Sequence, residues 1–367
     1  MKITLVISSL YSGGAERVVV LLAKGFIDKG HEVTVITLSG KELDFFNLPD
    51  KANRLALGLF NNSSNVFEAI RANLHRLEIL RKAIISTKPD IVISHLTATN
   101  ILTILCMLRT PYPVIVTEHT DPKKFFYTKS WKILRRLTYP FADNIVSVSQ
   151  GVNDAFHWLP QNKKSVIYNP ILEINSQQEN IDLPIDLDPA KEWIISMGRL
   201  RPEKGFDILL SAFSKIAHLH LNWQLVILGK GELKTDIEKM AKDLSLTSRV
   251  ILTGAIKNPF PLLKKSSLFV MSSRSEAFPM ALCEAMATGL PVIATDCCSG
   301  SREIIRDGID GVIVPSEDIS ALARAMNNLM SDEKERQRLS NRAPEVTERF
   351  SIEKVMEDWL TVIKKII

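Results

Sequence analysis

Long apolar runs are missing from this 367-residue chain. The nearest candidate, "ILTILCML" before Arg109, falls well short of the roughly 18 residues of a spanning helix, so no membrane crossing is expected. Cysteine is scarce: Cys106, Cys283, Cys297 and Cys298 make no CxxC pair and no Cys/His cluster with zinc spacing. That usage speaks against a structural metal and for a reducing, cytosolic compartment. A strong charge of either sign is also absent, with 46 Lys and Arg against 41 Asp and Glu, a formal net charge of +5. The surplus is too small to argue for nucleic acid, but it suits a polyanionic ligand or an anionic membrane surface. Low-complexity tracts and short-period repeats are lacking. The opening "MKITLVISSLYSGGAERVVV" has Lys2 and an apolar run to Leu10. The run is short, and Gly13-Gly14 falls where a strand turns into a helix, so it reads as a first buried strand rather than a signal peptide.

What the chain does have is rhythm. Short β-branched runs alternate with amphipathic segments: "KITLVIS", a helix from about Ala15 to Lys29, "EVTVITL", a helix near Ala69 to Ser86, "IVISH", "VIVTEH", a helix around Trp131, and "NIVSVS". Continuously apolar strands, each followed by a helix, belong to a parallel sheet covered on both faces. The stretch "LEINSQQENIDLPIDLDPAKE" is polar, proline-broken and aperiodic, which marks a linker. The alternation restarts with "WIISMGR", helices over Phe206–His218 and Leu233–Leu244, "SLFVMSS", a helix over Met280–Ala287, "PVIAT", "GVIVP" and a long helix after Asp318. In the tail, Phe350, Val355, Trp359 and Ile363 fall near one helical face. The expected architecture is α/β, with a Rossmann-like domain at 1–170, a linker at 171–190, a second Rossmann-like domain at 191–348 and a C-terminal helix at 349–367 returning to the first domain. Two such domains facing each other leave a cleft at the carboxyl ends of both sheets.

Several motifs sit at strand ends. Gly13-Gly14 lets backbone approach a ligand, and the helix start behind it offers free N–H groups to an anion; a plain tight turn explains it equally well. "ILGKGELK", with Gly229 and Gly231, has no third glycine and no acidic residue ending the next strand, so a dinucleotide fingerprint is not supported, while a turn lining a nucleobase stays open. In "SMGRLRPEKGFD", Arg199 and Lys204 lie in one loop past a strand and can converge on a diphosphate, although a solvated loop has the same spelling. His119 ends the apolar strand "VTEH" after Glu118, and a lone histidine is more often structural than catalytic. In "SRSEAFPMALCEAMATG", Glu276 stands in a loop and Glu284 about one turn into the following helix; both carboxylates can accept hydrogen bonds from vicinal hydroxyls.

Together, "GGAE", "GRLRPEKG", "GKGEL", "EAFPMALCEAMATGLPVIAT" and "DGVIVP" resemble glycosyltransferase family 4, retaining enzymes of the GT-B fold, in the family's order and across the whole chain. The resemblance implies that Glu284 binds the donor ribose and Glu276 the transferred sugar. It implies that Arg199 and Lys204 hold the nucleotide diphosphate, with Met280, Ala281 and the neighbouring Ala277 and Phe278 lining the donor. Gly13, Gly14, Gly229 and Gly231 would also approach the donor, and His119 would line the acceptor side of the sugar. The chemistry implied is electrostatic stabilisation of the departing diphosphate, which needs a nucleotide-sugar co-substrate, best guessed as UDP-linked, and no metal. Two departures bear on the donor sugar: Ala277 stands where many members carry glycine, and Cys297-Cys298-Ser299-Gly300-Ser301 replaces a more glycine-rich turn.

Asp121–Phe141 interleaves Lys123, Lys124, Lys129, Lys132, Arg135 and Arg136 with Phe125, Phe126, Tyr127, Trp131 and Tyr139. A helix of this kind lies on an anionic leaflet or binds a lipid diphosphate; an ordinary helix packing its aromatics inward is the competing reading. The segment is similar to that of transferases extending polyprenyl-diphosphate-linked oligosaccharides, including bacterial N-acetylgalactosamine transferases. That similarity implies a lipid-linked saccharide acceptor and a peripheral place on the inner face of the plasma membrane. A soluble acceptor or GDP-mannose is the alternative within the class, and a non-enzymatic nucleotide-sugar-binding protein the alternative outside it. A metal-dependent transferase would need an Asp-x-Asp motif, and "DLD" at Asp186–Asp188 lies in the linker rather than at a strand end.

Overall fold

The computed structural model describes residues 1–59, 66–122, 129–171, 187–297 and 299–367, with backbone only at 66–73. Lys123, Lys124, Phe125, Phe126, Tyr127, most of the linker with Asp186, and Cys298 lie outside the described residues. The chain divides into two compact units, Met1–Pro170 with Ile352–Ile367, and Ile171–Ser351.

The first unit runs β1 (Lys2–Ile7), α1 (Gly14–Asp28), β2 (Glu32–Thr37), β3 (Asn53–Ala56), α2 (Val66–Ser86), β4 (Ile91–His95), α3 (Thr97–Met107), β5 (Val114–Glu118), α4 (Lys129–Thr138), β6 (Asn144–Ser147), α5 (Gln150–Asp154) and β7 (Lys164–Val166). Its seven strands are all parallel in the order β3-β2-β1-β4-β5-β6-β7. β4 and β5 are buried at every residue, which is why they read as unbroken apolar runs rather than alternating ones. The strand order reverses between β1 and β4, so the turns after these two strands diverge and open a crevice at their carboxyl ends.

The second unit repeats the device with β8 (Glu192–Met197), α6 (Phe206–Ile216), β9 (Trp223–Leu228), α7 (Lys234–Asp243), β10 (Val250–Gly254), α8 (Phe260–Lys265), β11 (Leu268–Met271), α9 (Met280–Ala287), β12 (Val292–Asp296), α10 (Ser299–Ile304), β13 (Val312–Pro315), α11 (Ile319–Ser331), α12 (Glu333–Ser340) and α13 (Glu345–Arg349). Its order is β10-β9-β8-β11-β12-β13, and the reversal falls between β8 and β11. Ile194, Leu225, Leu268 and Ile293 from four strands meet Leu209, Leu210, Phe213, Leu322 and Met326 from α6 and α11 in one core. Among the described residues no helix is long and apolar enough to cross a membrane.

The chain returns to the first unit as α14 (Ile352–Lys364). Val355, Met356, Trp359 and Ile363 form its buried face, and Trp359 meets Phe26 of α1 edge-on at 6.3 Å. Phe350 departs from the expected face. It follows α13 with non-helical dihedrals and packs against Phe278 at 5.1 Å, inside the second unit. The helical spacing placed it one turn before Val355, but the break at Phe350-Ser351 sends its ring elsewhere. Truncating a fully buried tryptophan costs about 3–5 kcal/mol. Trp359→Ala is therefore expected to lower the unfolding free energy of the first unit by that order, read from denaturant titration, with α14 losing hydrogen-exchange protection first.

Candidate functional site

The switch point of the second unit collects the charged residues. β8 ends at Met197, and the loop Gly198–Gly205 carries Arg199 and Lys204; β11 ends at Met271, and the loop Ser272–Pro279 carries Glu276. Backbone bonds sew the loops together: the amides of Arg274 and Ser275 donate to the Glu203 carbonyl at 2.8 and 3.4 Å, and Ser272 Oγ donates to the Lys204 carbonyl at 3.1 Å. Gly205 makes this seam possible, because it sits at φ +63° and a Cβ there would collide with the Ser272 carbonyl.

Across the seam Lys204 Nζ donates to Glu276 Oε1 at 2.5 Å, with both side chains largely shielded from solvent. Ser273, buried, donates to the same oxygen at 2.7 Å, and its carbonyl accepts from Thr295 Oγ1 of β12 at 2.6 Å. Arg199 is exposed, and its guanidinium makes no hydrogen bond or ion pair among the described residues. The two cations thus differ: one is already paired, the other is open to a ligand. Arg274 is a further residue of the seam. It forks onto Asp207 at 2.8 and 2.6 Å, reaches Glu317 at 3.0 Å and donates to the Pro202 carbonyl at 2.9 Å. Hydrogen bonds from Arg274 hold the Asp207 carboxyl below its ordinary range. The arginine stood unremarked in "SSRSEAF", because its partners lie 67 and 43 positions away.

Glu284 is buried on α9, and Pro279 begins that helix without a side-chain cap, which leaves the first-turn amides of Met280 and Ala281 without a side-chain acceptor. Ala277 is buried, and it is not among the residues of positive φ, so its Cβ adds no backbone strain there. Phe278 is buried against Phe350 and serves packing. Gly229 and Gly231 have a plain structural reason: an added Cβ would collide with the Gly198 and Leu200 carbonyls, respectively. Close approach lets Leu200 donate to the Lys230 carbonyl at 2.9 Å, which fixes the root of the Arg199 loop. Asp188 of the linker accepts from the Ala190 amide at 3.0 Å, the hydrogen bonding of a turn.

The first unit offers a different cluster at the ends of β4 and β5. Partly buried His119 meets buried His95, Nε2 to Nδ1 at 3.1 Å. Glu118 accepts from Thr97 Oγ1 at 3.0 Å and from the Tyr139 hydroxyl, and Asn100 Nδ2 reaches that hydroxyl at 3.2 Å. Burial pushes the Glu118 carboxyl up, and it pushes His119 down to about 4 and His95 well below its usual value. The site of Gly13 and Gly14 carries its own anion: Gly13 precedes α1 in extended conformation, and the Glu16 carboxylate folds back against it. A phosphate at that helix start would have to displace Glu16.

The basic stripe departs from its expectation at Arg135. This residue is buried with its guanidinium over the Phe156 ring at 5.4 Å, so it does not join the exposed cations Lys129, Lys132 and Arg136. Tyr139 is buried too, drawn inward by Glu118. What α4 exposes instead is apolar: Trp131, Ile133, Leu134 and Leu137, with Phe141 just beyond.

The depressed His119 and His95 values carry a signed consequence. Between about pH 4 and the ordinary 6.5, unfolded histidine binds a proton that His119 in the fold does not. Stability is therefore expected to fall as pH drops through that window, and the fall should be shallower in His119→Gln, read as urea midpoints at pH 4.5, 5.5, 6.5 and 7.5.

Comparison with known proteins agrees with this layout. Residues 12–171 match the model of Glycosyltransferase Family 4, and residues 177–346 match that of Glycosyl transferases group 1. A Campylobacter jejuni GalNAc-alpha-(1->4)-GalNAc-alpha-(1->3)-diNAcBac-PP-undecaprenol alpha-1,4-N-acetyl-D-galactosaminyltransferase is 29% identical over 368 residues, covering 100% of this chain and 99% of its own. A second Campylobacter jejuni protein, an N-acetylgalactosamine-N,N'-diacetylbacillosaminyl-diphospho-undecaprenol 4-alpha-N-acetylgalactosaminyltransferase, is 27% identical and covers 98% of each chain. Among solved structures, Anabaena HepE in complex with UDP and glucose superposes with a TM-score of 0.81 at 18% identity over 100% of both chains. The fold is GT-B, and the chain belongs to the family 4, group 1 glycosyltransferases.

Proposed function

We propose that the chain is a retaining, metal-independent transferase acting at an anionic membrane surface. It moves an N-acetylhexosamine, GalNAc or GlcNAc, from a UDP-linked donor to a polyprenyl-diphosphate-linked saccharide in bacterial glycan assembly. The observation that carries the reading is the Lys204–Glu276 pair beside the open Arg199 at the β8/β11 switch point. The lipid-linked acceptors in the names of the two Campylobacter relatives and the UDP bound to HepE support it.

In this reading Arg199 and Lys204 engage the diphosphate, and the Met280 and Ala281 amides add the positive end of α9. The diphosphate takes Lys204 from Glu276, and the freed carboxylate accepts from hydroxyls of the transferred sugar. Glu284 takes the ribose hydroxyls, and His119 contacts the sugar. The bond from the anomeric carbon to the diphosphate oxygen breaks, the acceptor oxygen bonds to the same carbon from the same face, and its proton passes to the departing oxygen. Charge grows on the diphosphate as that bond breaks, so fixed cations stabilise the transition state more than the ground state.

The deciding assay follows transfer of labelled sugar from UDP-GalNAc and UDP-GlcNAc to polyprenyl-diphosphate oligosaccharides, with GDP-mannose as control and EDTA throughout. Loss of all transfer in EDTA, or an inverted anomeric product, would overturn the mechanism. Glu284→Ala is expected to weaken donor binding about tenfold to a hundredfold, as for lost hydrogen bonds to a charged group, with kcat little changed. Glu276→Ala should instead lower kcat; like behaviour of the two variants contradicts the division of roles.

The exposed face of α4 is assigned to the membrane. Its side chains Trp131, Ile133, Leu134 and Leu137 are apolar and its exposed cations are Lys129, Lys132 and Arg136, the last over the Trp158 ring at 5.3 Å. Co-sedimentation with phosphatidylglycerol vesicles is expected to be lost when these three cations are changed to Glu, with the thermal midpoint held; unchanged pelleting removes α4 from the role.

A further inference from the structure

The β4–α3 turn holds a residue that no motif singled out. His95 ends β4 in full burial, and the next residue, Leu96, stands at φ +74°, in the region that favours glycine. A leucine held there is strained, and such strain persists where the surroundings over-determine the geometry. Three bonds surround the turn: Leu96 donates its amide to the Thr117 carbonyl at 3.3 Å, Asn100 Nδ2 donates to the same carbonyl at 2.9 Å, and His95 Nδ1 lies 3.0 Å from Thr117 Oγ1.

Proton counting then decides the direction of each bond. Thr117 has one hydroxyl proton, and it is spent on the Ser94 carbonyl at 2.7 Å. Its oxygen can only accept from His95, so His95 Nδ1 carries a proton. The same Nδ1–H faces His119 Nε2 at 3.1 Å, so that nitrogen accepts and its ring holds the proton on Nδ1. The far side of His95 agrees: Nε2 is buried with no partner among the described residues. An unsatisfied lone pair is tolerable there, whereas an unsatisfied N–H would be costly. Burial keeps both rings neutral at working pH, leaving the single-proton tautomers as the states to be chosen between.

We infer that His95 is a positioning residue that locks His119 in the Nδ1–H tautomer, so that His119 offers substrate a hydrogen-bond donor and not a base. The group it would meet is an acceptor oxygen, a sugar hydroxyl or ring oxygen, and deprotonation of the acceptor is left to another atom. The identity of that oxygen rests on the proposed transferase reading; the tautomer does not.

The test is long-range ¹⁵N–¹H correlation of the full chain labelled at its seven histidines, at pH 7.5, with His119 assigned by its loss in His119→Gln. A protonated Nδ1 and a bare Nε2 are expected for His119. His95→Asn, which keeps an N–H near the Nδ1 position, should preserve that pattern. His95→Leu should move His119 toward the Nε2–H form that free imidazole prefers and lower kcat at least about tenfold with KM for donor little changed. An Nε2–H signature for His119 in the unaltered protein overturns the inference, and it does so even where His95→Leu fails to fold. A His95→Leu protein with an unchanged tautomer, or with an altered tautomer and unaltered turnover, overturns it equally. Absence of any transfer activity with the expected tautomer counts against the transferase reading and leaves the His95 lock standing.

Discussion

The second unit depends on holding two loops from neighbouring, oppositely progressing strands against each other, and the Lys204–Glu276 ion pair is where that constraint becomes chemistry. Two poorly solvated charges 2.5 Å apart stabilise each other, but either alone is costly, because removing one leaves the other unpaired. A ligand that takes either charge must therefore supply the other with an equivalent partner. The proposed donor would meet this requirement by its charge order, a diphosphate for Lys204 and uncharged hydroxyls for Glu276. The seam beneath does not rest on this pair: Arg274 and Ser272 hold it through backbone carbonyls and Asp207, and Gly205 permits its close approach.

The two units use the same topological device for opposite electrostatics. At the β8/β11 reversal the loops present guanidinium, ammonium and carboxylate groups, two of them neutralised only by each other. At the ends of β4 and β5 burial works against charge: it pushes Glu118 up and both histidines down. Burial there leaves the two histidines as neutral hydrogen-bonding groups. Such a cluster suits a neutral ligand, and the open Arg199 of the second unit suits an anion.

Much of this was legible in the residues, and what was not had a common cause. β4, β5, β9 and β11 announced themselves because full burial removes polar residues from both faces. The helices after Gly205 and Pro279 were placed by the same punctuation that the structure uses. Missed elements were those with weak local signals. β3, "NRLA", is partly exposed at an edge, and α3 begins with the poor helix formers Thr97, Thr99 and Asn100, of which Thr97 donates its hydroxyl to Glu118 and Asn100 its amide to the Thr117 carbonyl and the Tyr139 hydroxyl. Arg274, His95 and the pairing of Lys204 with Glu276 were hidden for a different reason. Their partners are 22 to 72 positions distant, so only the strand order brings them together.

α4 shows the same limit most sharply, because its polarity is inverted relative to an ordinary covering helix. Counting aromatics and cations predicts either aromatics inward or a mixed basic surface. The actual helix buries Arg135 and Thr138 and exposes Trp131, Ile133, Leu134 and Leu137. The cause lies beneath it: Phe156 offers a ring face to the Arg135 guanidinium, and buried Glu118 supplies a long-range attraction to the same cation. One arginine spent inward turns the apolar stripe outward. A stripe of four large apolar side chains flanked by Lys129, Lys132 and Arg136 is costly in water and suits the boundary of an anionic leaflet, where chains bury apolar residues and headgroups meet the cations. The inward arginine and the outward apolar side chains thus arise together.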